Sequence, residues 1–275
     1  MALGLGLGLG IGNSITGSVL DPATSAFITA TGITDATIIN AVNRLVLNYK
    51  GQGNLNSSLD LWTNSLAIYP IVGGSASSHM YNLKDPRNLD AAFRLAFSGG
   101  WTHDSNGMIG NGINTFINTF IQANTNLTAA SGRIGIYSRS NVNEFRYDMG
   151  ATTAGGTELM IISRGSNTFY SNYGLNSSYG TITNTDSRGL FVTNRNGAVN
   201  TTGYKNGNLV ITHSETGSLP NFNIYIGALN NFGTAVNYAT KNYSFAVIGN
   251  GLSDANSLLE FQIIQQFQTD LGRAV

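Results

Sequence analysis

The sequence predicts a mainly β protein: a β-sandwich with a small N-terminal helical segment and a C-terminal helix. Three observations predict it. From about Leu66 onward, short runs alternate apolar and polar residues with period two and recur roughly every 8–20 residues. Turn formers separate them, with Gly and Asn each supplying 34 of the 275 residues. Capped helical periodicity is strongest near the two ends, before Gly51 and after Leu252.

The rest of the composition narrows the class. The 14 basic and 14 acidic side chains cancel, and charged residues are 10% of the chain, against roughly 25% in an ordinary soluble domain. So sparse a set offers no basic field for a phosphate backbone, and no nucleic-acid partner is expected. The absence of cysteine excludes a disulfide framework, a thiol nucleophile and a thiolate metal site. A hydrophobic content of 41% suffices for a buried core. No apolar run approaches the roughly 18 residues of a membrane span, so none is expected.

Residues 1–20 come first. Leu3, Leu5, Leu7, Leu9 and Ile11 alternate strictly with Gly. Each interior Gly costs a helix about 1 kcal/mol relative to Ala, and no basic residue precedes Arg44, which argues against a signal peptide. In an extended chain the five aliphatic side chains share one side and the other is bare. This segment is expected to be an assembly arm that inserts into a neighbouring subunit or a larger particle.

Residues 21–65 are expected to hold helices and a linker. Asp21-Pro22 is an N-cap followed by the residue best suited to a first helical position, and Gly32 closes that helix. A second helix starts at Thr34-Asp35, carries Ile38, Val42, Leu45 and Tyr49 at helical spacing, and ends at Lys50-Gly51. The polar stretch 51–65 reads as a linker.

Residues 66–275 are expected to form the sandwich. Leu89, Ala91, Phe93, Leu95 and Phe97 alternate with polar or small residues, and Glu144–Met149 reads as a half-buried strand with its charges outward. Arg133–Arg139, Glu158–Ser163, Leu190–Thr193, Phe222–Ile226 and Tyr243–Val247 are similar runs. Asn206-Gly207 between strand-like flanks is the strongest local hairpin signal. Ile113, Phe116, Ile117, Phe120 and Ile121 have helical spacing in a β region, and their state stays open. Ser253-Asp254 starts a last helix whose stripe is Leu259, Ile263, Ile264, Phe267 and Leu271.

Several of these runs carry a family resemblance. Arg133-Ile134-Gly135-Ile136-Tyr137-Ser138-Arg139, Gly203-Tyr204-Lys205-Asn206-Gly207 and Asn223-Ile224-Tyr225-Ile226-Gly227-Ala228-Leu229-Asn230 resemble the concanavalin A-like (laminin G-like) jelly roll of lectins and glucanases. Asn82–Leu95, Ser98–His103, Tyr243–Leu252 and Phe267–Arg273 are similar to a subgroup found in phage virion proteins of Bacteroidetes-type hosts. The resemblance covers residues 66–275 and implies a lectin-like domain on a virion surface. A glycanase of this family would carry closely spaced carboxylates on one strand. The nearest pair, Glu144 and Asp148, is about 13 Å apart by strand rise, beyond the roughly 5–9.5 Å that hydrolysis needs. No enzyme activity is expected.

Two clusters are candidates for ligand binding. In the Gly-flanked loop Trp101–Gly107, Trp101, His103, Asp104 and Asn106 combine an aromatic platform with hydrogen-bonding groups for a sugar ring. Its oxygens also suit Ca²⁺, although no calcium motif is present and no cofactor is expected. The alternative is a Trp that plugs the core and an Asp that caps a turn. Tyr170, Tyr173 and Tyr179, spaced by Ser, Asn and Gly, have the composition of adaptable binding surfaces. His79, His103 and His213 are far apart in sequence and lack metal-ligand spacing.

The expected function is a virion head fibre, spike or decoration protein, trimeric by preference. Its arm docks on capsid or other virion proteins, and its sandwich adheres to host surface glycan. The alternative is a cellular carbohydrate-binding module or adhesin.

Overall fold

A computed structural model describes residues 20–175, 179–197 and 199–275. Leu3, Leu5, Leu7, Leu9 and Ile11 of the expected arm lie outside them. Five helices are described: α1 (Pro22–Thr31), α2 (Ala36–Tyr49), α3 (Ala76–His79), α4 (Ala123–Asn126) and α5 (Asp254–Asp270). Their starts follow the side-chain chemistry. The Asp21 carboxylate accepts from the Ala23 amide at 2.8 Å, that of Asp35 from Thr37 at 2.7 Å, and the Ser253 hydroxyl from Asn256 at 3.3 Å. Gly32 closes α1 at φ 68°, where a residue with a Cβ would be strained.

The described strands form two sheets. The eight-stranded sheet runs Asn208–Ser214, Asn200–Lys205, Gly189–Asn196, Ser131–Ser138, Asn242–Gly249, Gly107–Ile109 and Thr102–Asp104, with Ser65–Tyr69 paired on Asn242–Gly249. The nine-stranded sheet runs Gly180–Thr183, Thr168–Leu175, Thr157–Gly165, Met149–Thr152, Asn223–Ile226, Phe116–Gln122 and Ala96–Ser98, with the hairpin Leu229–Asn231/Thr234–Val236 joined to its middle. The pairings are antiparallel, except that Leu229–Asn231 lies parallel to Met149–Thr152. Asn206 and Gly207 turn their hairpin with φ of 51° and 74°, the type I′ geometry that an Asn-Gly pair favours.

Side-chain alternation explains the layering. Along Gly189–Asn196, Phe191 enters the core between the sheets, whereas Leu190 and Val192 pack into a second cluster with the helices. Along Asn242–Gly249, Ala246 and Ile248 face the inter-sheet core, and Phe245 and Val247 face the helices. These strands are buried on both faces, and Leu190–Val192 and Phe245–Ile248 read as continuous apolar runs. Val42, Leu45, Val46 and Tyr49 of α2 and Ile263, Ile264 and Phe267 of α5 complete the second cluster. The order of layers is helices, eight-stranded sheet, nine-stranded sheet.

One ion pair fixes the helical layer. Arg133 and Glu260 have side chains 0% and 1% exposed and meet through two bonds, Nη2–Oε1 at 2.6 Å and Nε–Oε2 at 3.0 Å. The remaining guanidinium hydrogens go to the carbonyls of Asn64 (3.0 Å) and Asn250 (2.6 Å) and to Ser65 Oγ (2.8 Å). The Tyr49 hydroxyl donates to Glu260 Oε1 at 3.1 Å, so α2 joins the network, and burial pushes its phenol pKa well up.

The structure corrects several expectations. The run Leu89–Phe97 is not one strand. Leu89 is 52% exposed, Asp90–Ala92 is a 3-10 turn, Phe93 has φ 58°, and only Ala96–Ser98 is strand. The i,i+4 bond from Arg94 to Asp90 at 2.8 Å, with Arg94 over the Phe120 ring, favours the turn. Glu144–Met149 is not a strand either, since the ladder begins at Met149. Asp148 is buried, not outward. Its carboxylate accepts from Lys241 Nζ (3.1 Å), the Ser163 amide (2.6 Å) and the Tyr243 hydroxyl (2.8 Å), which ties the two sheets together. The 51–65 stretch is no free linker, because the buried Asn56 amide donates to the carbonyls of Asn48 (2.7 Å) and Leu59 (2.6 Å). The open segment 113–121 is resolved as the strand Phe116–Gln122.

Glu260→Ala strips a buried guanidinium of its counter-charge and is expected to cost about 3–5 kcal/mol. The double change Arg133→Met/Glu260→Leu, which removes both charges, is expected to cost far less in the same urea-unfolding measurement.

Candidate functional site

The loop singled out in the sequence is an edge hairpin of the eight-stranded sheet, Thr102–Asp104 paired with Gly107–Ile109. Its polar groups serve the fold. Trp101 is half-buried against the inter-sheet core, its ring edge-on to Phe97 at 6.3 Å and its Nε1 donating to the Phe116 carbonyl at 3.3 Å. The Asp104 carboxylate accepts from the Asn106 amide at 2.7 Å and caps the turn. Of the four residues singled out in this loop, Asn106 is the exposed one.

His103 forms a pair that spacing did not signal. Its Nδ1 lies 2.9 Å from Nδ1 of His79 on α3. The Gly74 amide donates to His79 Nε2 at 3.1 Å, which makes that nitrogen an acceptor and puts the proton on His79 Nδ1, shared toward His103. His79 is 1% exposed. Burial, with smaller contributions from His103 and Arg273, pulls its pKa from 6.5 to about 3. Burial also lowers that of His103. No group of three or more His, Asp or Glu side chains suited to a metal ion occurs among the described residues.

The tyrosine cluster divides by face. Tyr173 points into the inter-sheet core, 0% exposed, with its hydroxyl on the Thr128 carbonyl at 2.7 Å, so it is not available to a ligand. Tyr170 and Tyr179 sit on the opposite side of the nine-stranded sheet, edge to face at 6.4 Å. There the alternation of Thr157–Gly165 sends Met160 and Ile162 outward, into a small cluster with Tyr147 and Leu229, while Leu159 and Ile161 enter the core.

That outer face contains a cleft of about 500 Å³ lined by Tyr147, Thr152, Thr153, Gly155, Gly156, Glu158, Tyr179, Leu229, Asn231 and Phe232. Three features mark it. Glu158 is 2% exposed, and its Oε2 has no hydrogen-bond partner among the described residues. Burial raises its pKa above the ordinary 4.5, and the neighbouring hydroxyls of Tyr179 and Tyr147 act as donors in the opposite sense. Phe232 is 47% exposed at the tip of its hairpin with φ 53°. A bulky side chain held there costs about 1 kcal/mol or more. The turn is fixed from beneath by Asn230, whose carboxamide accepts from the Gly233 amide and donates to the Asn223 carbonyl, both at 2.8 Å.

The sequence named Tyr179 but missed Glu158, Tyr147, Leu229 and Phe232, which come from separate segments that only the sheet brings together. The acids weighed as a pair are both engaged: Asp148 with Lys241, and Glu144 with the amide and hydroxyl of Thr240 at 2.9 Å each.

No protein-family profile and no curated protein matches the chain. Among solved structures it is similar to a Trypanosoma rangeli sialidase in complex with sialic acid, at TM-score 0.54 and 9% identity, over 83% of this chain and 39% of the sialidase. It is also similar to domain 4 of AbnA, a GH43 extracellular arabinanase from Geobacillus stearothermophilus, in complex with arabinotriose (TM-score 0.48, 10% identity, 72% of this chain and 98% of that one). A third is the receptor binding domain of botulinum neurotoxin C/D mosaic serotype (TM-score 0.46, 11% identity, 73% and 51%). At 9% identity the sialidase match speaks to fold, and it agrees with the mainly β sandwich described above.

The histidine pair sets a pH window. A folded pKa of about 3 against 6.5 for the free side chain means that neutral His79 contributes stability above pH 6.5, lost as pH falls toward 3. The unfolding free energy of the wild type is expected to drop through this window more steeply than that of His79→Asn, so that the gap between them narrows in acid.

Proposed function

We propose that this chain is a non-enzymatic surface protein of a phage virion, a head fibre, spike or decoration protein, whose sandwich adheres to host saccharide. The adhesive surface is the outer face of the nine-stranded sheet. The observation that carries this is the cleft, where a buried carboxylate with one unpartnered oxygen lies beside two tyrosine hydroxyls and a strained, exposed Phe232. Sugar sites combine an aromatic or aliphatic wall for the ring with a few fixed acceptors and donors for its hydroxyls. The opposite sheet has its outer side under the helices. The fold match to a sialidase described with bound sialic acid supports a sandwich of the saccharide-handling kind. The resemblance in the sequence, the Leu/Gly pattern of residues 1–12 and the low charge support the virion setting. In this reading the arm docks on the particle and three copies assemble.

Phe232→Gly tests adhesion without confusing it with folding. It relieves the positive φ, so its thermal stability is expected to equal or exceed that of the wild type. Its affinity on an array of bacterial surface saccharides is expected to fall about tenfold, as for loss of an aromatic anchor. An array on which no saccharide binds the wild type rejects adhesion. Deleting residues 1–20 is expected to abolish incorporation into particles while the sandwich stays folded. A truncated chain that still joins particles rejects the docking arm.

A further inference from the structure

We propose that the Glu158 cleft is an ammonium site, taking a saccharide with a free amino group whose cation seats against the Glu158 carboxylate beside Tyr147, Tyr179 and Phe232. The inference rests on the reading of this face as saccharide-binding and adds the charge of the ligand.

Charge is the first argument. Among the described lining residues Glu158 is the one charged side chain, and none is Lys, Arg or His. An anionic sugar would meet an uncompensated carboxylate there, whereas a cation supplies the missing counter-charge. The second argument is the orphan oxygen. Among the described residues Glu158 Oε2 is buried without a partner, while the Tyr147 and Tyr179 hydroxyls donate to the same carboxylate, so part of its hydration has been lost with no donor in return. An ammonium brings three donors and a charge, and a sugar hydroxyl brings one donor and none. The third argument is the wall. Tyr147, Tyr179 and Phe232 all line the cleft, the composition from which aromatic cages for ammonium groups are built. The two-residue turn Phe232-Gly233 sets the positive φ of Phe232 and holds its ring at the exposed tip of the hairpin.

Titration calorimetry on the full-length chain in mildly acidic buffer separates the alternatives. The probes are the fully deacetylated glucosamine tetramer, N-acetylchitotetraose, sialyllactose and choline. The deacetylated tetramer is expected to bind at least about tenfold tighter than its N-acetylated counterpart, the scale of one charge-assisted hydrogen bond. Glu158→Gln is expected to reduce that preference to about twofold or less. Equal binding of the two tetramers overturns the ammonium site and leaves the saccharide reading standing. A preference that survives in Glu158→Gln, or tighter binding of sialyllactose, also overturns the ammonium site. Choline, whose quaternary nitrogen has no N–H to give Glu158, bound as tightly as the glucosamine tetramer overturns the site as drawn, because charge and aromatic wall then suffice without the orphan oxygen. Binding of no probe overturns the inference, while the saccharide array separately decides the wider reading. Should Glu158→Gln fail to fold, the comparison of tetramers on the wild type decides alone.

Discussion

The ion pair of Arg133 and Glu260 is the constraint on which the rest of the molecule depends, because it decides which sheet the helices cover. A guanidinium on a central strand of the eight-stranded sheet, directed away from the inter-sheet core, cannot remain unpaired under an apolar layer. Glu260 on α5 supplies its counter-charge, and Tyr49 brings α2 to the same point. Once α5 is seated, Phe245, Val247 and Val192 are buried beneath it. The central strands of the eight-stranded sheet are then covered on both faces. What remains open is the far side of the nine-stranded sheet, which is where the cleft lies.

The scarcity of charge looks different from inside the fold. Arg133, Asp148, Glu158, Arg195, Lys241, Glu260 and Arg273 are each 2% exposed or less. Most of them work as fasteners. Lys241 and Asp148 clamp the two sheets, and Arg273 binds the carbonyls of Pro70, Ile71 and Ser244 at 2.8–2.9 Å, closing the C-terminus onto the sandwich. Burial pulls the Arg273 pKa down to about 9, the cost of holding a cation on neutral acceptors, these carbonyls and the Gln268 carboxamide. Glu158 differs from these, since it faces a cleft and keeps one oxygen unpartnered.

Local chemistry was legible in the sequence wherever a feature depends on neighbours in the chain. Asp21-Pro22, Asp35 and Ser253 started helices because a cap needs only the next two or three residues, and Asn206-Gly207 turned a hairpin because both tolerate positive φ. Alternation identified most strands. It misread Asp148, whose polarity suggested solvent although Lys241 and Tyr243 are waiting across the sheets. It misread Leu89–Phe97 because an Asp90–Arg94 contact outweighed period two. The site was less legible. Trp101 and Asp104 took the structural roles weighed beside the functional ones, Tyr173 turned inward, and His79 met His103 across 24 residues. Glu158, Tyr147 and Phe232 belong to different strands and turns, so no spacing could mark them as a group.

The central claim is that ligand recognition resides on the outer face of the nine-stranded sheet. Hydrogen–deuterium exchange of the full-length chain, with and without the saccharide that binds tightest on the array, tests it most directly. The account predicts added protection in the segments around Tyr147, Thr152–Glu158 and Leu229–Thr234, with the helices α2 and α5 unchanged. Protection confined to the Trp101–Ile109 hairpin or to the helical layer would contradict it.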